Sequence, residues 1–213
     1  MSRLLPTSFR FFWRDFKDRK FKLLDVGAGN HSAQLTKQWF PKCEYYGIDQ
    51  VRDYNNDKDD FEWMKEFYQL DLTQLDFDII PNSFFDVMIL SHVLEHLKNG
   101  DKVLAGLLPK LRQGALVYIE FPSARSQRLP SKKGTLNFYD DPTHCRVFSA
   151  EEVSHMLRQQ GCVIEKAGVR HNWIRIVLLP LLMLSSKMKK GYVEGSVFWD
   201  ILGFAEYVFA RKT

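Results

Sequence analysis

Short apolar runs alternate with helical patterns along most of this chain, and that alternation limits the fold more than any other feature of the sequence. It is typical of a mostly parallel sheet that helices cover on both faces. The predicted strands are residues 22–26, 45–48, 67–70, 86–90, 115–121, 162–167 and 206–210. The predicted helices are residues 31–39, 93–97 continuing toward 111, and 150–160.

The length and composition of the chain fit a single soluble domain. Its 213 residues are 45% hydrophobic, which is enough to bury a core without disulfides or a structural metal. Cys43, Cys145 and Cys162 are far apart and form no CxxC pair, which argues against a secreted disulfide scaffold and a zinc ribbon. We therefore predict one domain over residues 1–213 and a cytoplasmic location.

The net charge of +4 is distributed unevenly along the sequence. Residues 1–20 contain six basic and two acidic side chains, residues 21–124 contain 10 and 16, and residues 166–213 contain eight and three. Both ends are therefore basic and the middle is acidic. A nucleic-acid-binding protein would concentrate its basic residues on one face, so this distribution gives little support for a nucleic-acid partner.

The basic N-terminal segment has the pattern of an amphipathic helix. Between residues 8 and 21, aromatic residues recur at helical spacing with basic residues between them. Asp15 and Asp18 argue against a mitochondrial leader, and the segment lacks the uninterrupted apolar core of a signal peptide. We predict a basic amphipathic helix over residues 1–20 that packs on the domain. A substrate lid and a membrane-surface contact are the alternatives.

A second unusual segment precedes the last predicted strand. Residues 173–184 are the most apolar stretch, but they contain Arg175 and Pro180 and fall short of the roughly 20 apolar residues that cross a bilayer. Three lysines follow, namely Lys187, Lys189 and Lys190. We treat residues 170–203 as an apolar and basic insertion and expect a buried hairpin or helix of the core. A helix in the membrane interface is the alternative.

A glycine-rich turn, DVGAGNHS at residues 25–32, follows the first predicted strand. Gly27 and Gly29 permit a tight turn and let a ligand approach the backbone N–H groups at the start of the next helix. A full GxGxxG fingerprint has a third glycine where this chain has Ser32. The turn alone is therefore a weak signal, because an ordinary strand-to-helix connection explains it equally well.

Acidic residues after the next two strands strengthen this signal. Asp49 ends the second strand, 20 residues after Gly29, where a carboxylate can accept hydrogen bonds from both hydroxyls of a ribose. Asp71 ends the third strand, where it can accept a hydrogen bond from an exocyclic amine such as that of adenine, with Leu72 as an apolar wall. Ligands of open α/β sheets bind at the carboxyl ends of strands. The turn and the two acids therefore predict one binding site.

In these motifs the sequence resembles the class I S-adenosylmethionine-dependent methyltransferases of small-molecule type. The resemblance covers residues 23–168 and the closing strand at 204–210. Its motifs are LLDVGAGN, YYGID, QLDL, FFDVMILSHVLEHL, LLPKLRQGALVYIEFP and DPTHCRVFSAEEVSHMLRQQGCVIEKAG. It implies an α/β fold with a Rossmann-like, doubly wound sheet of seven strands, mostly parallel with an antiparallel last strand.

The resemblance also implies which residues contact the cofactor, S-adenosylmethionine. The glycine turn would face its methionine and ribose portions, Asp49 its ribose hydroxyls and Asp71 its adenine amine. Asp25 would orient the loop or contact the methionine ammonium through water. Family members often have a third glycine where this chain has Asn30, and Asn tolerates a left-handed backbone better than most residues. The full implied set is Asp25, Gly27, Ala28, Gly29, Asn30, Asp49, Gln50, Asp71, Leu72 and Ser91.

Residues 92–96, HVLEH, match the inverted zinc-protease motif HxxEH. A catalytic zinc needs a third protein ligand, and a zinc protease would leave the glycine turn unexplained. Some methyltransferases resembling this chain bind a divalent ion through Glu and His residues here and a distant His, a set that Glu95, His96 and His144 could supply. His92 stands where such a set has an acid, which weakens affinity for a hard ion. We predict no metal and interpret Glu95 and His96 as residues that structure the helix start and bound the pocket.

His144 lies before the last predicted helix, in the sequence DDPTHCR. Methyl transfer from a sulfonium to a hydroxyl removes the hydroxyl proton, and an imidazole with a pKa of about 6.5 suits this task. We predict His144 as the candidate general base and His96 as the second catalytic residue. A hydrogen bond that stabilises the loop is the alternative role for His144.

The sequence therefore predicts an S-adenosylmethionine-dependent methyltransferase that acts on a hydroxyl of a small molecule, a glycan or a lipid-linked intermediate. Contact of the basic, apolar ends with a membrane surface is a second expectation. The alternatives are a non-catalytic protein that binds the cofactor or only retains the fold and, less favoured, a nucleic-acid methyltransferase, because no aromatic stacking motif follows the fourth strand. Four basic residues after the fifth strand belong to a solvated loop or receive a phosphorylated or nucleotide-linked acceptor; they are Arg125, Arg128, Lys132 and Lys133.

Overall fold

All seven predicted strands form and pair into one sheet in the order β3-β2-β1-β4-β5-β7-β6. The computed structural model describes residues 5–213, so residues 1–4 of the predicted N-terminal helix lie outside the described residues. The first five strands pair in parallel, whereas β7 runs antiparallel to β5 and β6. This confirms the predicted Rossmann-like, doubly wound α/β sheet with an antiparallel last strand. The strands are β1 Phe21–Val26, β2 Cys43–Asp49, β3 Met64–Gln69, β4 Phe85–Ser91, β5 Leu111–Pro122, β6 Cys162–Val169 and β7 Ala205–Lys212.

The central strands are buried because both faces of the sheet are covered. Along β4, Met88 and Leu90 belong to one hydrophobic cluster, whereas Val87 and Ile89 belong to the other. Alternate side chains of a strand point to opposite faces, so the continuous apolar run of β4 fills two cores at once. Such runs are typical of parallel strands covered on both sides.

Two helices form close to their predicted positions, and one forms that was not expected. The helices α2, Ser32–Trp39, and α5, Ala150–Gln159, begin or end within one residue of their predicted bounds. The unexpected helix α3 is Lys58–Glu62, and its signal in the sequence is a capping box. In that box Asp57 and Asp60 each accept a hydrogen bond from the other's backbone N–H.

The helical stretch predicted from residue 93 toward residue 111 forms in separate pieces and not as one helix. A 3-10 turn, Leu94–His96, is followed by a separate helix α4, Gly100–Leu107. The interruption lies at Leu97, whose backbone is extended, a conformation that a regular helix cannot include. After α4 a second 3-10 turn, Leu108–Lys110, continues to the start of β5 at Leu111.

The N-terminal segment forms two short pieces and not one continuous helix. A 3-10 turn, Ser8–Phe11, and the helix α1, Trp13–Phe16, meet at Phe12, whose backbone is not helical. The break lets neighbouring aromatic rings pack on different partners. Phe12 stacks on Phe40, while Phe11 packs against aromatic side chains of β5 and β7.

Residues 170–203 form three helices between β6 and β7. These are α6 Trp173–Val177, α7 Leu179–Lys190 and α8 Trp199–Leu202. Among the described residues of α6 and α7 none is buried, so the expectation that residues 173–184 pack into the core is wrong. Across residues 5–213 the structure has no helix with both the length and the apolar character that a membrane span requires.

Candidate active site

The carboxyl ends of β1, β2, β3 and β4 bring the predicted cofactor residues together. The strand before Gly27 lies between the strands that end in Asp49 and Ser91. The N–H of Leu70 donates to the carbonyl oxygen of Asp49 at 3.0 Å, which places Asp71 at the same edge of the sheet. Residues that are far apart in the sequence therefore line one edge, as the motif order implied.

Both glycines of the turn are required by close packing. Gly27 has a φ of 82°, and a Cβ there would lie 2.5 Å from Cγ2 of Val93. A Cβ at Gly29 would lie 2.7 Å from Cδ1 of Tyr54 and 2.8 Å from its carbonyl oxygen. A side chain at either position would displace its neighbour, so the turn in this form needs glycine at both.

The loop after β2 closes over the glycine turn through backbone and amide contacts. Asn30 and His31 have left-handed backbones, with φ of 54° and 59°, a conformation that Asn tolerates better than most residues. The N–H of Asn30 donates to the carbonyl oxygen of Tyr54 at 3.0 Å. The side-chain amide of Asn56 donates to the carbonyl oxygen of Ala28 at 2.9 Å. The turn is therefore held from outside the sheet as well as by β1.

Asp25, the last but one residue of β1, fixes the start of α2. It is buried and accepts a hydrogen bond from the hydroxyl of Tyr45 at 2.6 Å, and that hydroxyl lies 2.7 Å from the hydroxyl of Ser32. Burial raises the pKa of Asp25 to about 6, although the hydrogen bonds from Tyr45 and Ser32 lower it. These contacts correspond to the loop-orienting role, the first of the two roles that the resemblance implies for Asp25.

Asp49 is half-buried at the end of β2, and Gln50 beside it is exposed. One carboxylate oxygen of Asp49, Oδ1, accepts a hydrogen bond from the N–H of Val51 at 2.9 Å. The carbonyl oxygen of Gln50 accepts one from the side chain of Gln69 at 3.2 Å. The Asp49 carboxylate is thus oriented by one local hydrogen bond.

Asp71 caps a 3-10 turn, Leu72–Gln74, directly after β3. Its Oδ1 accepts hydrogen bonds from the backbone N–H of Thr73 at 2.9 Å and from its hydroxyl at 2.6 Å. These bonds from Thr73 lower the pKa of Asp71. Leu72 is buried beneath the turn, so Asp71 has a structural role beside the predicted one.

The ends of β4 and β5 carry a buried ionic network that the sequence analysis did not predict. The ring of His92 contacts Oε1 of Glu95 through Nδ1 at 3.1 Å and Oε1 of Glu120 through Nε2 at 3.0 Å. Glu120 also accepts hydrogen bonds from the hydroxyl of Tyr118 at 2.5 Å and from Nη1 of Arg170 at 2.8 Å. Two basic side chains, His92 and Arg170, are therefore paired with two acidic ones, Glu95 and Glu120, at the carboxyl ends of β4 and β5.

The contacts within this network keep its central members charged. Burial lowers the pKa of His92, but its hydrogen bonds to Glu120 and Glu95 outweigh burial and raise that pKa to about 9. Burial raises the pKa of Glu120, but the charge of Arg170 and the hydrogen bond from His92 outweigh it and lower that pKa to about 2. Near neutral pH His92 is consequently a fixed cation.

Asp200, at the start of α8, extends the network to the segment between β6 and β7. Its carboxylate accepts a hydrogen bond from Nε of Arg175 at 3.0 Å and lies 3.3 Å from Nε of Arg170. It also accepts one from the N–H of Asn172 at 3.0 Å. The side chain of Asn172 in turn accepts one from Arg10 at 2.8 Å, which ties the N-terminal segment to the same site.

A cavity of about 690 Å³ opens between this network, the N-terminal segment and the helices α7 and α8. Ser91, one of the predicted cofactor residues, also lines it, so the cavity begins beside the predicted cofactor site. Of the described residues that line it, none is a histidine. Its charged lining residues are Glu120, Arg170, Arg175, Lys189 and Asp200, and its apolar ones include Leu35, Leu182 and Trp199.

The predicted catalytic histidines meet as a pair whose ring centroids are 4.8 Å apart. Nδ1 of His144 lies 2.6 Å from the carbonyl oxygen of Phe138, so this nitrogen carries the proton. The hydroxyl of Thr143 donates to Asp141 and therefore accepts a hydrogen bond from Nδ1 of His96 at 2.8 Å. These contacts leave Nε2 of each ring as the nitrogen that can accept a proton.

Glu95 lies beside the histidine pair. A potential ligand atom from each of Glu95, His96 and His144 lies within 4.8 Å of the others. Glu95 is 1% exposed, and its Oε2 has no hydrogen-bond partner among the described residues. The donors suit a divalent ion in type, but the His92 cation contacts the same carboxylate and opposes a second positive charge. The absence of a metal stays a prediction.

The zinc-protease arrangement does not form, because His92 faces Glu120 and not His96.

Residues 1–167 match a family model described as a methyltransferase domain. This match covers most of the chain. The chain belongs to the methyltransferase domain family. The class I membership predicted from the motifs is thereby confirmed, and family and fold together support S-adenosylmethionine as the cofactor of this methyltransferase domain.

Solved structures of low sequence identity share the fold of this methyltransferase domain. An S-adenosylmethionine-dependent methyltransferase from Archaeoglobus fulgidus has a TM-score of 0.60 at 19% identity, over 96% of this chain and 91% of that one. Phosphoethanolamine N-methyltransferase 2 from Haemonchus contortus, solved with phosphomonomethylethanolamine and S-adenosylhomocysteine, has a TM-score of 0.65 at 15% identity, over 95% and 52%. The [4+2]-cyclase SpnF has a TM-score of 0.60 at 18% identity, over 92% and 76%. Among curated proteins, none matches this sequence.

The sequence analysis did not predict the buried ionic network of the methyltransferase site. Glu120 was detectable, because it interrupts the apolar run of β5 and a buried acid needs a partner. Its partner Arg170 lies 50 positions away in the sequence, and Asp200 lies 30 positions beyond that. No local pattern connects these three residues, so only the folded chain shows that they meet.

Proposed function

We propose that this chain is an enzyme that transfers a methyl group from S-adenosylmethionine to a hydroxyl of an anionic acceptor. The acceptor class is a small molecule, a glycan or a lipid-linked intermediate. The observation that carries the proposal is the cavity beside Ser91, in which Arg170, Arg175 and Lys189 meet apolar walls. Glu120 and the buried Asp200 offset part of this positive charge. The lining therefore carries three positive and two negative charges, and the excess of one positive charge favours a phosphate or carboxylate group.

The residues of the site divide the work of such a transfer between them. When bound, S-adenosylmethionine supplies an electrophilic methyl group, whose bond to sulfur breaks as the bond to the acceptor oxygen forms. The glycine turn and Asp49 would bind and orient the donor, and the apolar walls of the cavity would exclude water. The acceptor proton must go to a base on the protein. Glu120 is poorly suited because its pKa is held low, whereas His144 has an Nε2 that its contact with Phe138 leaves available to accept a proton.

Calorimetric titration with S-adenosylmethionine and with its demethylated product tests donor binding. We expect micromolar binding that Asp49→Ala weakens by about tenfold, because the ribose hydroxyls lose a charged acceptor. Asp78→Ala is the matched control, since Asp78 is an exposed acid in the loop before β4. A chain that binds neither compound would contradict the proposal and indicate a protein that only retains the fold.

The role of His144 is tested by comparing turnover with donor affinity. His144→Ala should lower kcat by about 100-fold or more while leaving the donor Kd nearly unchanged, as expected when a general base is removed. His155→Ala, an exposed histidine of α5, should change neither. An equal loss of turnover and affinity would remove His144 from the chemistry and leave it the role of holding its loop.

A protein that binds the donor without transferring its methyl group is the second candidate function. Two observations favour keeping it. The fold is shared with a [4+2]-cyclase, and no histidine is found among the described residues that line the cavity. Incubation of the chain with isotopically labelled donor and cell extract separates the two. Label transferred to an extract component supports the enzyme, and tight donor binding without any transfer supports the second candidate.

A further inference from the structure

The helices α6 and α7 present an exposed apolar stripe. At about 100° per residue, its two members in α6 lie about 40° apart and its three members in α7 fall within an arc of about 60°. Their exposed fractions run from 57% to 78%, although large apolar side chains at such spacing usually face a core. The stripe, called here the α6–α7 face, consists of Trp173, Val177, Leu181, Leu184 and Met188.

The opposite side of the same helices faces the cavity beside Ser91, called here the acceptor cavity. Arg175, Leu182 and Lys189 line that cavity, and their positions along the helices are turned away from the α6–α7 face. Leu178 joins the two helices, and the N–H of Leu182 donates to its carbonyl oxygen. The pair is therefore a thin wall with the cavity on one side and the apolar stripe on the other.

The exposed charge beside the α6–α7 face comes from the three lysines near the end of α7, whereas Arg170 and Arg175 are paired with Glu120 and Asp200. The sequence has no acidic residue between Glu165 and Glu194. Lys187 is exposed and adjoins the stripe, whereas Lys190 donates a hydrogen bond to Glu194 at 2.6 Å. The basic residues of this interval are Lys166, Arg170, Arg175, Lys187, Lys189 and Lys190.

We infer that the α6–α7 face docks on the surface of an anionic lipid bilayer. An apolar stripe with basic flanks lies in the interface of such a bilayer, where the stripe enters the boundary of the acyl chains and the basic groups attract anionic headgroups. Trp173, at the end of the stripe, is a residue type that favours this depth. Docking would leave only the α6–α7 pair between the bilayer and the acceptor cavity, so a lipid-linked acceptor would have a short distance to cross; this last step alone depends on the proposed function.

Flotation of the full chain with lipid vesicles tests the inference without using activity. We expect the chain to float with vesicles containing roughly 30% phosphatidylglycerol in phosphatidylcholine, and much less with phosphatidylcholine alone. Binding should fall severalfold in about 0.5 M salt, because salt screens the attraction of the lysines to the lipid. Failure to float with either vesicle would overturn the inference, and calorimetry would show separately whether the donor still binds.

Variants of exposed residues locate the contact. Leu184→Ser combined with Met188→Ser should weaken vesicle binding by about tenfold or more. Ile79→Ser combined with Val163→Ser should leave vesicle binding unchanged. Both residues are exposed, but Ile79 precedes β4 and Val163 lies near the start of β6, whereas α6 follows the far end of β6. Equal binding by both double variants would overturn the inference.

Two lysine variants and a measurement of the molecular mass in solution complete the test. Lys187→Ala should weaken binding by about fivefold, whereas Lys65→Ala, an exposed lysine of the edge strand β3, should not. Light scattering tests the competing occupant, a second copy of the chain. A dimer that Leu184→Ser with Met188→Ser converts to a monomer, together with an absence of vesicle binding, would show that the α6–α7 face is an interface between copies.

Discussion

The cofactor side and the acceptor side of the candidate site are held together in different ways. On the cofactor side Asp71 bonds to Thr73, two positions away, and caps a short turn. On the acceptor side His92 and Glu120 meet across 28 positions, and Arg170 and Glu120 across 50. The first side combines local caps at strand ends with hydrogen bonds from neutral groups of neighbouring segments, such as that from Asn56 to Ala28. The second is a buried ionic cluster whose members depend on one another, so damage to one should spread to the rest.

The largest difference between the two sides should appear when the centre of the cluster is changed. Glu120→Gln leaves Arg170 and His92 charged without their shared acid, so we expect a loss of about 3–5 kcal/mol in the free energy of unfolding. Glu165→Gln is the matched control, because Glu165 pairs with Arg211 at 2.7 Å while the two side chains remain 32% and 44% exposed. That variant should lose at most about 1 kcal/mol. Similar losses in urea denaturation would contradict the view that the acceptor side is a cooperative cluster.

The cofactor side should respond most strongly at the glycine turn. Gly27→Ala imposes a left-handed backbone on alanine, which costs about 1–2 kcal/mol, and adds the contact with Val93 at 2.5 Å. We expect donor affinity to fall by about tenfold or more as the turn shifts. Gly161→Ala separates the two causes, because Gly161 has a φ of 77° but open space around its Cβ position. If both variants lose the same stability, the contact with Val93 contributes nothing.

A smaller effect concerns pH and, between about pH 6.5 and 8, arises on the acceptor side. Folding raises the pKa of His92 from about 6.5 to about 9, so its stabilisation is complete below about pH 6.5 and is lost as the pH rises through 9. The decline should reach at most about 1.4 kcal/mol per pH unit. Glu120 and Asp25, with folded pKa values of about 2 and about 6, have completed their titration by this range.

His92→Gln should remove the alkaline decline in unfolding free energy, and His155→Gln on the surface of α5 should retain it. Denaturation series at several pH values between 6.5 and 8 measure the slope for each variant, below the range in which Cys43 ionises in the unfolded chain. A decline that persists in His92→Gln would assign it to other groups and show that the His92 charge is not set by Glu95 and Glu120.

The same contrast explains what the sequence can predict. The strands and the glycine turn follow from local apolar runs and from the conformational needs of Gly27 and Asp49 at strand ends. The helix expected after residue 93 is interrupted by the extended backbone of Leu97, which the apolar pattern of residues 93–111 does not reveal. The cluster around Glu120 and the exposure of the α6–α7 face are tertiary properties, and an apolar helical pattern alone does not distinguish a buried face from an exposed one.

The smallest effect tests whether the cofactor side is as local as these contacts indicate. Asp71→Ala should cost about 1 kcal/mol, the usual value for losing a cap, and weaken donor binding severalfold. Asp71→Asn keeps an oxygen that can accept from the N–H of Thr73, so it should retain nearly all of the stability. A loss in Asp71→Ala as large as that in Glu120→Gln would mean that this turn is coupled to the rest of the sheet. The two sides would then form one cooperative unit, because a cap that only satisfies its own turn cannot destabilise strands four positions away in the sheet.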